Sequence, residues 1–161
     1  MKNKVVLITG ASSGIGKSCA ELFANKGSKV VLAARNITQL DIIVEKLKAK
    51  GCDISAIKSD VSIEKDCQLL VQQTIEKYGQ LDVLVNNAGI SMRATLEDVD
   101  LDVVKKVMDV NFYGMVYCTK YALPHLLQSK GSIVGVSSIA GYKGLPARCG
   151  YSASNNKFWL Y

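Results

Sequence analysis

The chain has 161 residues, of which 48% are hydrophobic and 21% charged, with a net charge of +6. These values fit one globular domain with a buried core, and the lysines are spread along the chain with no arginine-rich run, so we expect no nucleic-acid partner. Five cysteines without a CxxC pair and a lone histidine, His125, favour reduced thiols in a cytoplasmic protein over disulfides or a metal site.

Five short apolar runs, rich in β-branched residues, alternate along the chain with segments of helical periodicity. The runs are KVVLIT (4–9), KVVLAA (29–34), DISAIKS (53–59), LDVLVN (81–86) and GSIVGVSS (131–138). KVVLIT and KVVLAA, in which no charge follows the first lysine, are typical of strands buried on both faces of a parallel sheet. DISAIKS is a weaker strand signal, and GSIVGVSS is expected to lie at an open parallel edge. None is long enough to serve as a signal peptide or to cross a membrane, so we expect no membrane partner.

Apolar residues recur at helical spacing between these runs. The stripes are Ile15, Cys19 and Phe23, then Leu40, Ile43 and Leu47, and then the segment from Ile63 to Tyr78. Each stripe is followed by a glycine that can end a helix, at positions 27, 51 and 79, and Ser62 is the predicted N-cap of the third helix.

A longer helix is predicted from about Leu101 to Ser129. The polar Asn111 interrupts its apolar stripe, and Pro124 is expected to bend its later part. Strands that alternate with helices predict βαβ units, and hence an α/β fold with helices on both faces of a parallel sheet. We see no second domain.

The first strand leads directly through TGASSGIG (9–16) into a helix. Gly10 permits a sharp turn, Gly14 lets a phosphate approach the backbone, and Gly16 lets helix and strand pack closely. The free N–H groups at the start of the helix attract a pyrophosphate. This context predicts a dinucleotide site, although the spacing is GxxxGxG, and a purely structural turn is the alternative.

The end of the second strand bears on the choice of dinucleotide. NAD sites commonly carry an acidic residue there, which holds the ribose 2′-hydroxyl. This strand instead ends in Ala33 and Ala34, followed by Arg35, whose guanidinium can bind a 2′-phosphate. The sequence therefore favours NADP over NAD, and the alternative is that Arg35 is a solvated surface charge.

Four motifs occur in a fixed order: TGASSGIG, NNAG (86–89), the serine pair at Ser137 and Ser138, and YSAS (151–154). Together they resemble the short-chain dehydrogenase/reductase family, and the resemblance covers the chain up to Ser154. It implies a Rossmann-type, doubly wound sheet with strand order 3-2-1-4-5. It also implies hydride transfer between a nicotinamide and a small-molecule alcohol or carbonyl. For full-length relatives the resemblance implies homo-oligomers formed through the long helix and the helix that begins at Tyr151. Because most of that second helix is missing here, the oligomeric state of this chain stays open.

The resemblance also implies roles for particular residues. Asp60 matches the position that holds the adenine amino group. The family's catalytic residues match Asn111, Ser138 and Tyr151. The alternative for Asn111 is that it only marks a break in the helix that is filled by water. The implied cofactor residues are Gly10, Ser12, Ser13, Gly14, Ile15, Gly16, Arg35, Asp60, Val61, Asn87, Ala88 and Gly89. No metal is implied.

This set is chemically coherent. Ser138 can donate a hydrogen bond to a developing oxyanion, and Tyr151 can supply a proton to it. A free phenol has a pKa of about 10, and a nearby cation lowers that value by favouring the phenolate. In the family, a lysine four residues after the tyrosine provides this cation and also binds the nicotinamide ribose.

The chain departs from the family at this point, because Asn155 stands where the lysine is expected and Lys157 comes two residues later. On a regular helix the fourth position lies about 40° from the tyrosine and the sixth about 240°, so Lys157 would face away unless the chain bulged. We therefore expect impaired activity. The alternative is a non-catalytic chain that binds only nucleotide or a partner.

The resemblance further implies later strands that this chain lacks, so we predict a single domain over residues 1–161, incomplete at the C-terminus. A frameshift just after Ser154 is our explanation, with a natural truncation or a cloning boundary as alternatives, and the coding DNA would distinguish them.

Ile139, Tyr142 and Leu145 occupy the stretch that often lines the family's substrate pocket. Met92 and Arg93 are further candidates, although an ordinary loop contact is an equal alternative.

Overall fold

Five parallel strands form one sheet, in which the spatial order of the strands is third, second, first, fourth, fifth. In the computed structural model, which describes residues 1–156, the strands are β1 (Val5–Thr9), β2 (Lys29–Ala34), β3 (Ile54–Lys58), β4 (Val83–Asn86) and β5 (Ser132–Gly135). The register runs in step, with Leu7 opposite Val31 on one side and Leu84 on the other. The predicted fold class and strand order are confirmed.

Six α-helices connect or follow the strands in the described part of the chain. They are α1 (Gly14–Asn25), α2 (Ile37–Lys48), α3 (Glu64–Tyr78), α4 (Leu101–Met108), α5 (Gly114–Ser129) and α6 (Cys149–Ser154). Asp109–Tyr113 forms a π-helical turn between α4 and α5, and Ile139–Gly141 forms a 3-10 turn before α6. No helix within residues 1–156 combines the length and apolarity needed to span a bilayer.

Side chains of the strands alternate between two cores, because successive residues of a strand point to opposite faces. Val6 and Ile8 pack with α1 and α2 on one face, whereas Val5 and Leu7 pack with α3 and α5 on the other. All four are fully buried. This double covering explains why β1 and β2 are unbroken apolar runs, whereas β5, at the edge of the sheet, is largely exposed.

The structure corrects two details of the sequence prediction and agrees with a third. Ser62 does not cap α3, because its hydroxyl donates to Asp60 Oδ1 and the residue before the helix is Ile63. The fifth strand ends at Gly135, so it is shorter than predicted. The long helix starts at Leu101, ends at Ser129 and is interrupted around Asn111, as predicted, and α5 continues through Pro124.

A buried carboxylate ties together the amino ends of β1 and β4. Asp82 Oδ2 accepts hydrogen bonds from the Val5 backbone N–H at 2.8 Å and from Gln80 Nε2 at 2.8 Å, while Oδ1 accepts from Lys4 Nζ at 2.7 Å. Burial by itself raises the pKa of Asp82, but these three hydrogen bonds outweigh it and hold the pKa below the ordinary value. The ionised form is therefore the one that stabilises the fold.

We expect Asp82→Ala to lower the free energy of unfolding by about 2–4 kcal/mol, because it leaves the buried Val5 N–H without an acceptor. Lys4→Ala should cost less than about 1 kcal/mol, since Lys4 is half exposed. Because folding lowers the pKa of Asp82, its contribution is complete above about pH 4 and is lost as the pH falls through the folded-state pKa. Urea unfolding at pH 7 and pH 3 measures both effects. An equal loss for the two variants at both pH values would contradict this role.

Candidate active site

A cleft of about 800 Å³ opens at the carboxyl edge of the sheet. It is bounded by the segments that follow β1, β2, β3, β4 and β5, and α6 closes one end. In an open parallel sheet, this edge is where loops and helix N-termini converge on a ligand. All of the predicted cofactor residues except Gly16 line the cleft, as do Asn111 and Tyr151.

The glycine loop after β1 needs its glycines for three different reasons. Gly10 has a φ of +64°, and a Cβ there would lie 2.7 Å from the Ala88 Cα. Gly14 has a φ of +53° and faces open space, which leaves its backbone approachable from the cleft. Gly16 is buried beneath the loop, where a Cβ would lie 2.5 Å from the Gly10 carbonyl oxygen and 2.5 Å from Asn87 Nδ2.

We expect Gly16→Ala to lower the free energy of unfolding by about 1–3 kcal/mol and to weaken NADPH binding, because the loop must shift to admit the methyl group. Alanine at an ordinary helix position would instead stabilise the protein. Ser18→Ala, on the exposed part of the same helix, is the matched control. Urea unfolding and NADPH fluorescence titration are the measurements, and a Gly16→Ala protein as stable as the parent would refute the packing argument.

A hydrogen-bond network joins the ends of β1 and β4. Thr9 Oγ1 accepts from the Asn87 backbone N–H at 3.0 Å and from the Ala88 N–H at 3.1 Å. Asn87 Nδ2 donates in return to the carbonyl oxygens of Thr9 at 2.9 Å and Gly10 at 3.1 Å. Sequence reasoning assigned no role to Thr9. The available signal was a polar residue at the end of a buried strand, directly before the first glycine.

Arg35 and Asp60 mark the end of the cleft beside β2 and β3. Arg35 Nη1 lies 4.0 Å from Asp60 Oδ2, and the arginine side chain is 58% exposed, so the ion pair is weak. Asp60 Oδ1 is used within its own loop, where it accepts from the backbone N–H and the hydroxyl of Ser62. The guanidinium and one carboxylate oxygen therefore remain able to meet a ligand.

Asn111 lies 7% exposed in the π-helical turn, and its side chain links three segments. Its Oδ1 accepts from the Ile90 N–H at 2.8 Å, and its Nδ2 donates to the Ile90 carbonyl and to Ser154 Oγ, both at 2.9 Å. Ser154 Oγ donates in turn to the Tyr151 carbonyl at 2.9 Å. The asparagine thus connects the loop after β4 to the helix that carries Tyr151.

Ser138 is not brought onto the cleft with the other predicted catalytic residues. Its Oγ accepts from the Ala140 N–H at 3.2 Å and caps the 3-10 turn. The neighbouring Ser137 lines the cleft instead, and its Oγ donates to the Asn155 carbonyl at 2.9 Å. The catalytic role of Ser138 stays a prediction.

Asn155 ends α6 and lines the cleft. Its Nδ2 donates to the Tyr151 carbonyl at 2.9 Å and to Ser154 Oγ at 3.3 Å, so the amide is used within the helix end. Lys157, the displaced cation of the sequence prediction, lies outside the described residues. The family's lysine position is therefore filled by a neutral side chain that serves the backbone.

The predicted substrate-facing residues do not line the cleft. Met92 is 7% exposed and packs near Gly150, while Ile139 and Tyr142 are more than three-quarters exposed. Leu145 and Arg93 are likewise absent from its walls. Sequence position between two motifs does not determine the direction of these side chains. Among the described residues, no group of three or more acidic, histidine or cysteine side chains could hold a metal ion.

Curated proteins of related sequence align with this chain over nearly its whole length. An Arabidopsis thaliana protein, 11-beta-hydroxysteroid dehydrogenase-like 4A, is 42% identical over 156 residues, which are 96% of this chain and 52% of that protein. An uncharacterized oxidoreductase of Listeria monocytogenes is 41% identical over 155 residues, which are 96% of this chain and 62% of that protein. The chain spans about half the length of the plant relatives that it matches.

Solved structures share the fold. A short-chain dehydrogenase/reductase from Burkholderia phymatum, in complex with NAD, has a TM-score of 0.93 at 32% identity, covering 96% of this chain and 56% of that one. An alcohol dehydrogenase from Thermococcus sibiricus, complexed with 5-hydroxy-NADP, has a TM-score of 0.93 at 28% identity, and the match covers 96% of this chain and 66% of that one. The sequence model described as short chain dehydrogenase matches residues 4–157. With this sheet, glycine loop and tyrosine-bearing helix around one cleft, the chain belongs to the short-chain dehydrogenase/reductase family.

Proposed function

We propose that the chain is the cofactor-binding part of an NADP-dependent oxidoreductase that interconverts an alcohol and a carbonyl, with Tyr151 as general acid and base. One observation carries the proposal: a single cleft has the glycine loop and Arg35 along its walls together with Tyr151. The names of the plant relatives refer to dehydrogenation of a hydroxyl group, which supports the same reaction class.

The residues of the cleft fit a dinucleotide. The open backbone at Gly14 and the start of α1 offer N–H groups to a pyrophosphate, and Arg35 offers its guanidinium to a 2′-phosphate. Asp60 Oδ2 can accept from an adenine amino group. When bound, a nicotinamide dinucleotide supplies or accepts the hydride.

The chain's own residues handle the proton. During reduction, Tyr151 donates its phenolic proton to the carbonyl oxygen, and it takes the proton back when an alcohol is oxidised. Ser138 donates a hydrogen bond to the same oxygen if its 3-10 turn opens toward the cleft. Asn111 holds α6 at its place through Ser154, so it positions the tyrosine.

Arg35 supports the preference for NADP over NAD. The neighbouring structures were solved with NAD in one case and with an NADP derivative in the other, so the fold admits both nucleotides. No acidic residue ends β2 in this chain. The carboxylate that lies 4.0 Å from this guanidinium belongs to Asp60, on the loop after β3, and not to the end of β2, where an NAD site commonly carries one.

We expect Arg35→Ala to raise the dissociation constant of NADPH about ten- to hundredfold and to leave that of NADH within about threefold. Lys58→Ala, which removes an exposed lysine from the adjacent strand, is the control and should change neither constant by more than about twofold. Fluorescence titration of both nucleotides gives the four values. Unchanged constants for both nucleotides would show that Arg35 is only a surface charge, and equal losses for both would show that it does not recognise the 2′-phosphate.

A second candidate function is nucleotide binding without turnover. Asn155 favours it, because the family's cation is replaced by an amide that bonds the helix backbone. NADPH titration combined with a panel of ketones separates the two candidates. Saturable binding with turnover supports the oxidoreductase, and saturable binding without turnover supports the binding module.

A further inference from the structure

Arg148 places a guanidinium next to the tyrosine end of the cleft. Its Nη1 donates to Ser91 Oγ at 2.6 Å, and its Cζ lies 5.7 Å from the centroid of the Tyr151 ring. Ser91 and Tyr151 both line the cleft, and Arg148, which is not itself a lining residue, contacts both of them. The cation therefore lies directly beside the cleft wall, next to the proposed proton donor.

The backbone around Arg148 holds the side chain in this place. Arg148 directly precedes α6, and its carbonyl accepts from the Ser152 N–H at 2.7 Å. The preceding Ala147 has a φ of +56°, an uncommon conformation for a residue with a Cβ, and its carbonyl accepts from the Ala94 N–H at 2.9 Å. The arginine is thus tied to α6 on one side and to the loop after β4 on the other.

The positive charge of Arg148 is not neutralised within residues 1–156, where no carboxylate lies within ion-pair distance of it. A guanidinium has five N–H donors in a planar fork, and Ser91 uses one of them. That fork matches a carboxylate better than any other side chain does. A partly buried arginine with spare donors beside a cleft is suited to bind an anion from it.

We propose that Arg148 makes the site selective for carbonyl substrates that carry a carboxylate. The inference rests on the proposed function, because Tyr151 fixes where the carbonyl oxygen lies. Since the guanidinium sits beside the same ring, the carboxylate must be only a few bonds from the carbonyl carbon. Short oxo acids such as pyruvate, acetoacetate and levulinate meet this condition, and their methyl esters have nearly the same shape without the charge.

The test measures binding of each oxo acid and its methyl ester by titration calorimetry, with the full chain saturated in NADP⁺, and measures NADPH-dependent reduction of both separately. The variants are Arg148→Gln, Arg148→Lys and the control Lys143→Gln. Lys143 is an exposed cation of the same loop whose ammonium forms no ion pair or side-chain hydrogen bond among the described residues. Circular dichroism and NADPH affinity confirm that each variant is folded.

We expect the parent chain to bind at least one oxo acid more tightly than its ester. Arg148→Gln should weaken binding of that acid about ten- to hundredfold and change the affinity for the ester less than about threefold. The affinity of Arg148→Lys for the acid should fall between those of the parent and Arg148→Gln, and Lys143→Gln should bind both compounds as the parent does. A parent chain without preference for any acid would overturn the proposal, even if Arg148→Gln cannot be folded. So would an Arg148→Gln protein that loses acid and ester equally, since that would make Arg148 a positioning residue only.

The two readouts separate this proposal from the proposed function. Selective binding of an oxo acid without reduction would support the role of Arg148 while counting against the oxidoreductase. Reduction of the acid and its ester with equal kcat/KM would support the oxidoreductase and count against the role of Arg148.

Discussion

Replacing Tyr151 by phenylalanine should lower the rate of NADPH-dependent ketone reduction by about two to four orders of magnitude, which is the usual contribution of a positioned acid or base. No hydrogen bond among residues 1–156 uses the phenol hydroxyl, so its removal leaves no polar group without a partner. The fold and the affinity for NADPH should therefore stay unchanged within about threefold. Steady-state kinetics and fluorescence titration on the same preparation measure both.

Two controls make the result specific to the proton. Tyr142→Phe removes the hydroxyl of an exposed tyrosine nine residues earlier, which does not line the cleft, and should leave the rate unchanged. Asn111→Ala should lower the rate as well, but it should also destabilise the fold, because it breaks the bonds to Ile90 and Ser154. A Tyr151→Phe protein that keeps most of the parent's rate would remove Tyr151 from the mechanism.

The sequence predicted the fold well because the signals that set it are local and repeated. The apolar strand runs, the glycine after each of the first three helices and the loop at Gly10 all follow from constraints on a few neighbouring residues. The reason assigned to Gly16 also matches the structure, since a Cβ there would strike Gly10 and Asn87. Backbone sterics of this kind can be deduced from spacing alone.

The site was harder to predict because it depends on side-chain directions and on partners far along the chain. Asn111 could be recognised as a break in a helix, but its bond to Ser154 spans 43 positions and has no periodic signature. Ser138 and Ser137 are adjacent, and only the local backbone decides which of them faces the cleft. The sequence does not predict the contact of Arg148 with Ser91 either, because neither residue belongs to a motif.

Position 155 was predictable in one respect and not in another. The sequence shows that Asn155 stands where the family has a lysine, but only the structure shows which hydrogen bonds the asparagine makes. Its amide donates to the Tyr151 carbonyl four residues back, and its own carbonyl accepts from Ser137. The second bond uses only backbone atoms of Asn155, so a different side chain can keep it. A lysine at this position would lose the amide bond but would bring an ammonium to the tyrosine's side of the helix.

We expect Asn155→Lys to raise kcat for ketone reduction at least about tenfold, because a cation beside a phenol favours its ionised form and so eases proton exchange. Asn155→Gln is the matched control, since it lengthens the side chain without adding charge and should leave kcat within about twofold. Parallel kinetics of the three proteins with saturating NADPH provide the comparison, and urea unfolding confirms that both variants are folded. If lysine and glutamine give the same kcat, the missing cation at position 155 does not limit the reaction, and the limitation lies in the rest of the substrate site.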